Sequence, residues 1–87
     1  MFRLWGKLVR NNRILKDITI ERADDDTRTH KVIGSLEKIC HEWDLEIPIW
    51  LDKSVRDFQR NASARFYQDS FIEEIAFDYL EIQVVEE

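Results

Sequence analysis

The sequence predicts a single α+β domain of order β-β-α-α-β, in which helices cover one face of a small three-stranded antiparallel or mixed sheet. Apolar and polar residues alternate at both ends of the chain, as they do in half-buried strands. Between the ends, apolar residues recur every three or four positions, as they do in amphipathic helices. The chain has 87 residues, a length that suits one domain, spanning 1–87, and not two.

The first two strands are predicted at residues 2–10 and 14–22, on either side of Asn11 and Asn12. Asparagine tolerates positive φ, so this pair suits a tight hairpin turn. Side chains of one period-two face of each strand are expected to point inwards. These are Phe2, Leu4, Leu8, Ile14, Ile18 and Ile20.

Two helices follow the hairpin. The first is predicted over residues 28–43, with Asp26 or Thr27 as its N-cap. Its apolar stripe consists of Val32, Ile33, Leu36, Ile39, Cys40 and Trp43. Pro48 excludes a continuation of this helix. A second, shorter helix is predicted at residues 53–62, capped by Asp52, with an inward face of Val55, Phe58 and Ala62.

Residues 64–76 admit two interpretations. Ser70 and Glu73 fit a capping box that opens a short helical turn. An extended interpretation, with Phe66 and Tyr67 in a short strand, fits almost as well. The alternation returns at residues 77–85 and predicts the last strand, with Leu80, Ile82 and Val84 on one face.

We expect the last strand to lie beside the first, because the two ends of the chain carry opposite charges. The first 22 residues contain six basic side chains, whereas residues 66–87 contain seven acidic ones and no basic one. Opposite charges that face each other across strands are favourable. Arg3 and Lys7 would then lie near Glu81 and Glu86. The predicted core is Leu4, Leu8, Ile18, Ile20, Val32, Leu36, Ile39, Val55, Phe58, Leu80, Ile82 and Val84.

Composition argues against several classes of protein. The net charge of −5 disfavours nonspecific binding to nucleic acid or to an anionic membrane. Cys40 is the only cysteine, so neither an intramolecular disulfide nor a cysteine-rich zinc site can form. No apolar run has the length of a signal peptide core or of a membrane span. We therefore expect a cytoplasmic protein without a cofactor and without membrane association.

No motif indicates an enzyme. Cys40 and His41 are neighbours on the first helix, where adjacent side chains do not face each other, so Cys40 is interpreted as a buried, inert thiol. The acidic run at residues 24–26 lacks the ligand spacing, the glycine and the distal glutamate of a calcium loop, and is interpreted as a helix-capping turn. The carboxylates of the last third, Glu73, Glu74, Asp78 and Glu81, suggest a hydrolase only if a pocket and a partner base accompany them.

A sheet covered on one face leaves its other face and two edges exposed. Exposed apolar clusters mark interfaces, and the second face is predicted to carry Trp5, Val9, Phe77, Tyr79 and Val85. The sequence therefore predicts a non-enzymatic protein-interaction module. We expect it to form a homodimer or to bind another protein, through this face or through an edge strand.

An alternative function is the binding of single-stranded nucleic acid by the N-terminal hairpin. Basic side chains alternate there with Phe2 and Trp5, as in a surface on which bases stack. The basic side chains are Arg3, Lys7, Arg10, Arg13 and Lys16. The acidic last strand, if it belongs to the same sheet, would neutralise part of this surface, so this function is the second choice.

Three segments carry a resemblance to known proteins: residues 1–7 (MFRLWGK), 48–52 (PIWLD) and 71–87 (FIEEIAFDYLEIQVVEE). Together they resemble a family of short uncharacterised proteins from Gram-positive anaerobic bacteria, similar along essentially the whole chain. The resemblance implies a complete single-domain protein of a bacterial cytoplasm. It implies no activity, cofactor, partner or functional residue.

Overall fold

The computed structural model describes all 87 residues as two α-helices packed on one antiparallel sheet of four strands. The elements are β1 (Phe2–Arg10), β2 (Arg13–Arg22), α1 (Arg28–Glu42), α2 (Asp52–Asn61), β3 (Ser63–Phe66) and β4 (Tyr79–Glu86). The strands are arranged in the order β2-β1-β4-β3. The predicted α+β class is confirmed. The predicted three-stranded sheet of order β-β-α-α-β is wrong, because β3 adds a fourth strand at the edge beside β4.

The hairpin turn forms at the predicted pair of asparagines. Asn11 and Asn12 have φ angles of 53° and 63°, which is the left-handed conformation that a two-residue hairpin turn requires. The backbone N–H of Asn11 also donates a hydrogen bond of 2.8 Å to the carboxylate of Asp78. The turn is thereby tied to the segment that leads into β4.

A bulge in β2 reverses the predicted orientation of Ile14. Lys16 lies opposite Leu8, but the register then shifts, and Ile14 lies opposite Val9. Leu15 is thus an extra residue, so side chains before it change faces relative to those after it. Ile14 leaves the core face and is 52% exposed.

Helix α1 begins as predicted. The hydroxyl of Thr27 accepts a hydrogen bond of 3.2 Å from the backbone N–H of His30, which satisfies one of the free donors of the first turn. Helix α2 differs from the prediction, because Leu51 is its N-cap and Asp52 is already helical.

The inward face of α2 is also shifted. Ser54 and Phe58, four residues apart, point towards the core and lie on one side of the helix. Val55 is therefore turned outwards and is 39% exposed, so its predicted place in the core is wrong. Ile18 and Val84, also predicted as core residues, are half-buried and pack against the core.

The core lies between the helices and one face of the sheet. Gly6 lets α1 approach β1, because a Cβ at this position would lie 2.6 Å from Cδ1 of Ile39. The buried cluster comprises Phe2, Leu4, Leu8, Ile20, Val32, Leu36, Ile39, Cys40, Phe58, Ala64, Phe66, Phe71, Phe77, Leu80 and Ile82. Its centre includes Leu4, Ile39, Phe66, Leu80 and Ile82, which are fully buried.

The segment between β3 and β4 resolves the ambiguity of the sequence. Phe66 belongs to β3, opposite Leu80. Ser70 ends a 3₁₀ turn, Gln68–Ser70, and its hydroxyl is buried without a hydrogen-bond partner, so the predicted capping box does not form.

Phe77 belongs to the core and not to the uncovered face of the sheet, which corrects its predicted position. Its ring meets that of Phe71 edge to face, with centroids 5.7 Å apart. The physical reason is that β4 begins only at Tyr79. The irregular backbone before it folds Phe77 inwards, and the alternation of a strand does not apply there.

Candidate interaction surfaces

The sheet face that the helices leave uncovered, here called the open face, carries a row of alternating charges. Asp17, Lys7, Glu81 and Arg65 lie opposite one another across all four strands. The Glu81 carboxylate lies 3.5 Å from Lys7 Nζ and 3.1 Å from Arg65 Nε. The side chains of Lys7 and Glu81 are only 15% and 12% exposed. Lys7, Glu81 and Arg65 are therefore paired within the chain, and the two central side chains are largely shielded from water, whereas Asp17 and Arg65 at the ends of the row are exposed.

Aromatic side chains cover the charge row. Trp5 Nε1 donates a hydrogen bond of 3.0 Å to the Asp17 carboxylate. The Lys7 ammonium lies 4.1 Å from the centroid of the Trp5 ring, and the Arg65 guanidinium lies 4.6 Å from that of Tyr79. Both distances suit cation–π contacts. The aromatic residues of the open face thus have partners within the chain.

The five residues predicted as an interface do not form one exposed apolar surface. Trp5 and Tyr79 are half-buried by the contacts just described. Val9 is buried at 6% exposure and Phe77 lies in the core. Only Val85, near the end of β4, is well exposed. The predicted apolar face is therefore corrected to a polar face with buried aromatic residues.

The five residues predicted to contact nucleic acid are also separated. Arg3 lies 2.8 Å from the Glu21 carboxylate and 3.9 Å from that of Glu86, and Lys7 pairs with Glu81. These contacts confirm that the last strand lies beside the first and neutralises it. Lys16 lies on the helix side of the sheet, where it lines a cleft.

Arg10 and Arg13 remain together at the end of the hairpin. We call Arg10, Asn11, Asn12 and Arg13 the hairpin tip. The two arginines lie opposite each other on the last rung of the β1–β2 ladder, an arrangement of like charges that is unfavourable. Both are exposed, and neither takes part in an ion pair of the chain.

Next to the hairpin tip, on the helix side of the sheet, lies a cleft of about 370 Å³. Its walls are largely apolar and include Leu8 and Trp43. Its charged residues are four carboxylates and one ammonium group: Asp44, Glu46, Glu73, Glu74 and Lys16. None of the four carboxylates has a cationic partner within 4.0 Å. We call this surface the acidic cleft.

The cleft is held together by backbone contacts that sequence reasoning missed. The Glu46 carboxylate accepts a hydrogen bond of 2.7 Å from the backbone N–H of Glu73, and Ile49 N–H donates to the Ser70 carbonyl at 2.7 Å. The connection after α1 and the segment before β4 therefore run side by side. Their acidic residues are far apart in sequence, so no local pattern signalled that they meet.

A second cavity, here called the helix groove, lies between α1 and α2 and has a volume of about 520 Å³. Its apolar walls are formed by Val32, Ile33, Trp50, Val55 and Phe58, and its polar residues are Arg28, Thr29 and Gln59. Val55 was predicted in the core and Ile33 in the apolar stripe of the first helix, but both are about two-fifths exposed. Their membership of apolar stripes was the only sequence signal for this groove.

Cys40 is buried, and His30 and Asp24 are engaged, whereas Glu73 and Glu74 line the acidic cleft without a cationic partner. Burial raises the pKa of the Cys40 thiol to about 11, and the charge of Glu37 adds to the effect. His30 Nδ1 lies 2.9 Å from the Asp26 carboxylate. The Arg22 guanidinium lowers the pKa of Asp24 to about 2 through a direct hydrogen bond. No three His, Cys, Asp or Glu side chains are grouped so that they could hold a metal ion.

Comparisons of the chain with protein-family models, with curated proteins and with solved structures give no match. The resemblance to a family of short bacterial proteins therefore stays a prediction. None of the helices is both long enough and apolar enough to cross a membrane.

Proposed function

We propose that the protein is a non-enzymatic interaction module that forms a homodimer, in which the hairpin tip of each copy enters the acidic cleft of the other. One observation carries the proposal. Two arginines and four carboxylates lie near one another at one end of the sheet, and none of them has an ionic partner within the chain. The open face, by contrast, pairs Lys7 and Arg65 with Glu81 and engages Asp17 with the Trp5 indole, so it has less to gain from a partner.

The tip and the cleft are adjacent. Leu8 lines the cleft, and Arg10 follows two residues later in β1, about 7 Å along the strand. Neither arginine reaches a carboxylate of its own cleft. Because the two surfaces are neighbours, one twofold axis at this end of the sheet brings both tip-to-cleft contacts together, as an isologous interface requires.

The chemistry of the two surfaces is complementary. Arginine binds carboxylates through two parallel N–H···O bonds, which are stronger than neutral hydrogen bonds. Ile14 and Leu15, beside the tip, are each about half exposed and supply apolar area. Trp43 supplies the matching apolar wall of the cleft. The contact thus combines buried apolar groups with a charged rim.

The test is a comparison of two double variants that change the net charge equally. Arg10→Glu/Arg13→Glu reverses the tip, and Arg56→Glu/Arg60→Glu reverses two exposed arginines of α2. We expect wild type to sediment as a dimer at about 100 µM and about 50 mM salt, and the tip variant to dissociate at least ~10-fold more readily. The α2 variant should stay close to wild type.

A charge swap makes the test specific. Glu73→Arg/Glu74→Arg should weaken the dimer alone, and should restore it when combined with the reversed tip, because both partners then carry the opposite sign. A monomeric wild type, or equal dissociation of the tip and α2 variants, would overturn the proposal. If wild type is monomeric and binds a single-stranded oligonucleotide in a salt-sensitive way that the reversed tip abolishes, the tip serves nucleic acid instead.

A further inference from the structure

We infer that the helix groove is a binding site for an amphipathic carboxylate, that is, a small molecule with an apolar body and one anionic head, of the class of medium-chain fatty acids. This inference goes beyond the proposed homodimer. The groove and the acidic cleft have no lining residue in common, so either can function without the other.

The size and lining of the groove suit a small ligand. Its volume of about 520 Å³ lies within the range of ordinary small-molecule sites, which are mostly apolar with a few polar groups that orient the ligand. The polar groups here are the guanidinium of Arg28, the hydroxyl of Thr29 and the amide of Gln59. All three can donate hydrogen bonds. Arg28 is the only charged lining residue, so the groove favours an anionic head.

Arg28 already binds a carboxylate. Its Nε donates a hydrogen bond of 2.6 Å to Oε1 of Glu87, the last residue of the chain, and both side chains are about half exposed. Exposed ion pairs of this kind contribute little to stability. A ligand carboxylate can therefore take the place of Glu87 at small cost. The same contact shows that this guanidinium binds a carboxylate.

The position of Arg28 sets the orientation of the ligand. Its guanidinium lies 5.2 Å from the centroid of the Phe58 ring, so the one charged group of the lining is next to an apolar wall residue. The head would lie there, and the apolar body would extend along Ile33 and Val55. These two side chains are large, apolar and partly exposed, so a hydrocarbon chain over them removes apolar area from water on both sides.

Calorimetric titration of the full chain with hexanoate, octanoate and decanoate tests the inference. We expect saturable one-to-one binding that tightens by up to about fourfold with each methylene group. Decanol, which has the same length but no charge, should bind at least ~10-fold more weakly than decanoate. Arg28→Gln should remove this difference, whereas Arg56→Gln, an exposed arginine of α2 outside the groove lining, should keep it.

A shortened apolar wall provides a second variant. Val55→Ser changes a side chain outside the core cluster, and it should weaken decanoate binding while the far-UV dichroism stays unchanged. The inference is overturned if decanoate shows no saturable binding, if affinity is independent of chain length, or if Arg28→Gln and Arg56→Gln bind alike. The reversed-tip variant should bind decanoate as wild type does, and this result would separate the groove from the proposed homodimer.

Discussion

Replacing Glu81 with glutamine should destabilise the fold far more than the same replacement at Glu86. Glu81→Gln keeps the size of the side chain but leaves Lys7, which is only 15% exposed, without a carboxylate. Loss of one partner of a fully buried ion pair costs about 3–5 kcal/mol, and loss of an exposed one about 0.2–1 kcal/mol. Because both side chains retain slight exposure, we expect Glu81→Gln to lower the free energy of unfolding by about 2–3 kcal/mol.

Glu86 is a suitable control, since it lies on the same strand and also faces a cation of β1. Its carboxylate is about half exposed and lies 3.9 Å from Arg3, so its replacement should cost less than about 0.5 kcal/mol. Urea denaturation at neutral pH measures both changes. With a slope of about 1–2 kcal/mol per molar urea, the midpoint should fall by about 1–3 M for Glu81→Gln and by less than about 0.5 M for Glu86→Gln.

A double variant distinguishes an unpaired charge from lost packing. Lys7→Met removes the ammonium that Glu81→Gln leaves without a partner, so the double variant should recover at least half of the lost stability. The reasoning is refuted if Glu81→Gln and Glu86→Gln differ by less than about 0.5 kcal/mol. It is also refuted if the double variant is no more stable than Glu81→Gln alone.

Three further measurements test the fold. Gly6→Ala should destabilise by about 1–3 kcal/mol in urea denaturation, because its Cβ would lie 2.6 Å from Cδ1 of Ile39, and Ile39→Val, which lacks that atom, should reduce the cost. NMR titration should give Asp24 a pKa of about 2, which should return towards its ordinary value of 3.8 in Arg22→Gln. Because the pKa of Asp24 is lowered in the folded state, its contribution to stability is complete above pH 3.8 and disappears as pH falls through about 2. Cys40, whose pKa is raised to about 11, should react with a thiol reagent at pH 8 only after unfolding.

The parts of the fold that follow from a local pattern could be predicted from the sequence. The asparagine pair gave the hairpin turn, and the three- and four-residue spacing gave α1. The pairing of β1 with β4 could be predicted although the two strands are far apart in sequence. β1 is basic and β4 is acidic, so each is favourably placed beside the other. These charges are paired in the structure by Lys7 and Glu81.

The parts of the fold that depend on nonlocal packing could not be predicted from the sequence. Strand β3 has four residues, too few for a period-two pattern, and it is defined by its pairing with β4. The bulge at Leu15 has no glycine or proline to signal it, yet it moves Ile14 to the other face. The acidic cleft joins segments about 30 residues apart through contacts such as that of Glu46 with Glu73, which no spacing in the sequence indicates.

The register of the sheet explains why the opposite charges of the chain are paired in the charge row but are left without partners at the hairpin tip and in the acidic cleft. Strand β4 begins at Tyr79, opposite Val9, so Arg10 extends past the last rung and meets no residue of β4. Of the carboxylates that precede β4, Glu73 and Glu74 line the cleft on the helix side, and Asp78 accepts a hydrogen bond from the Asn11 backbone. A one-residue slip would reverse the faces of β4 and expose its core residues, so the chain cannot pair these charges internally. The proposed homodimer should consequently depend on the tip and the cleft, and should tolerate any stable replacement within the charge row.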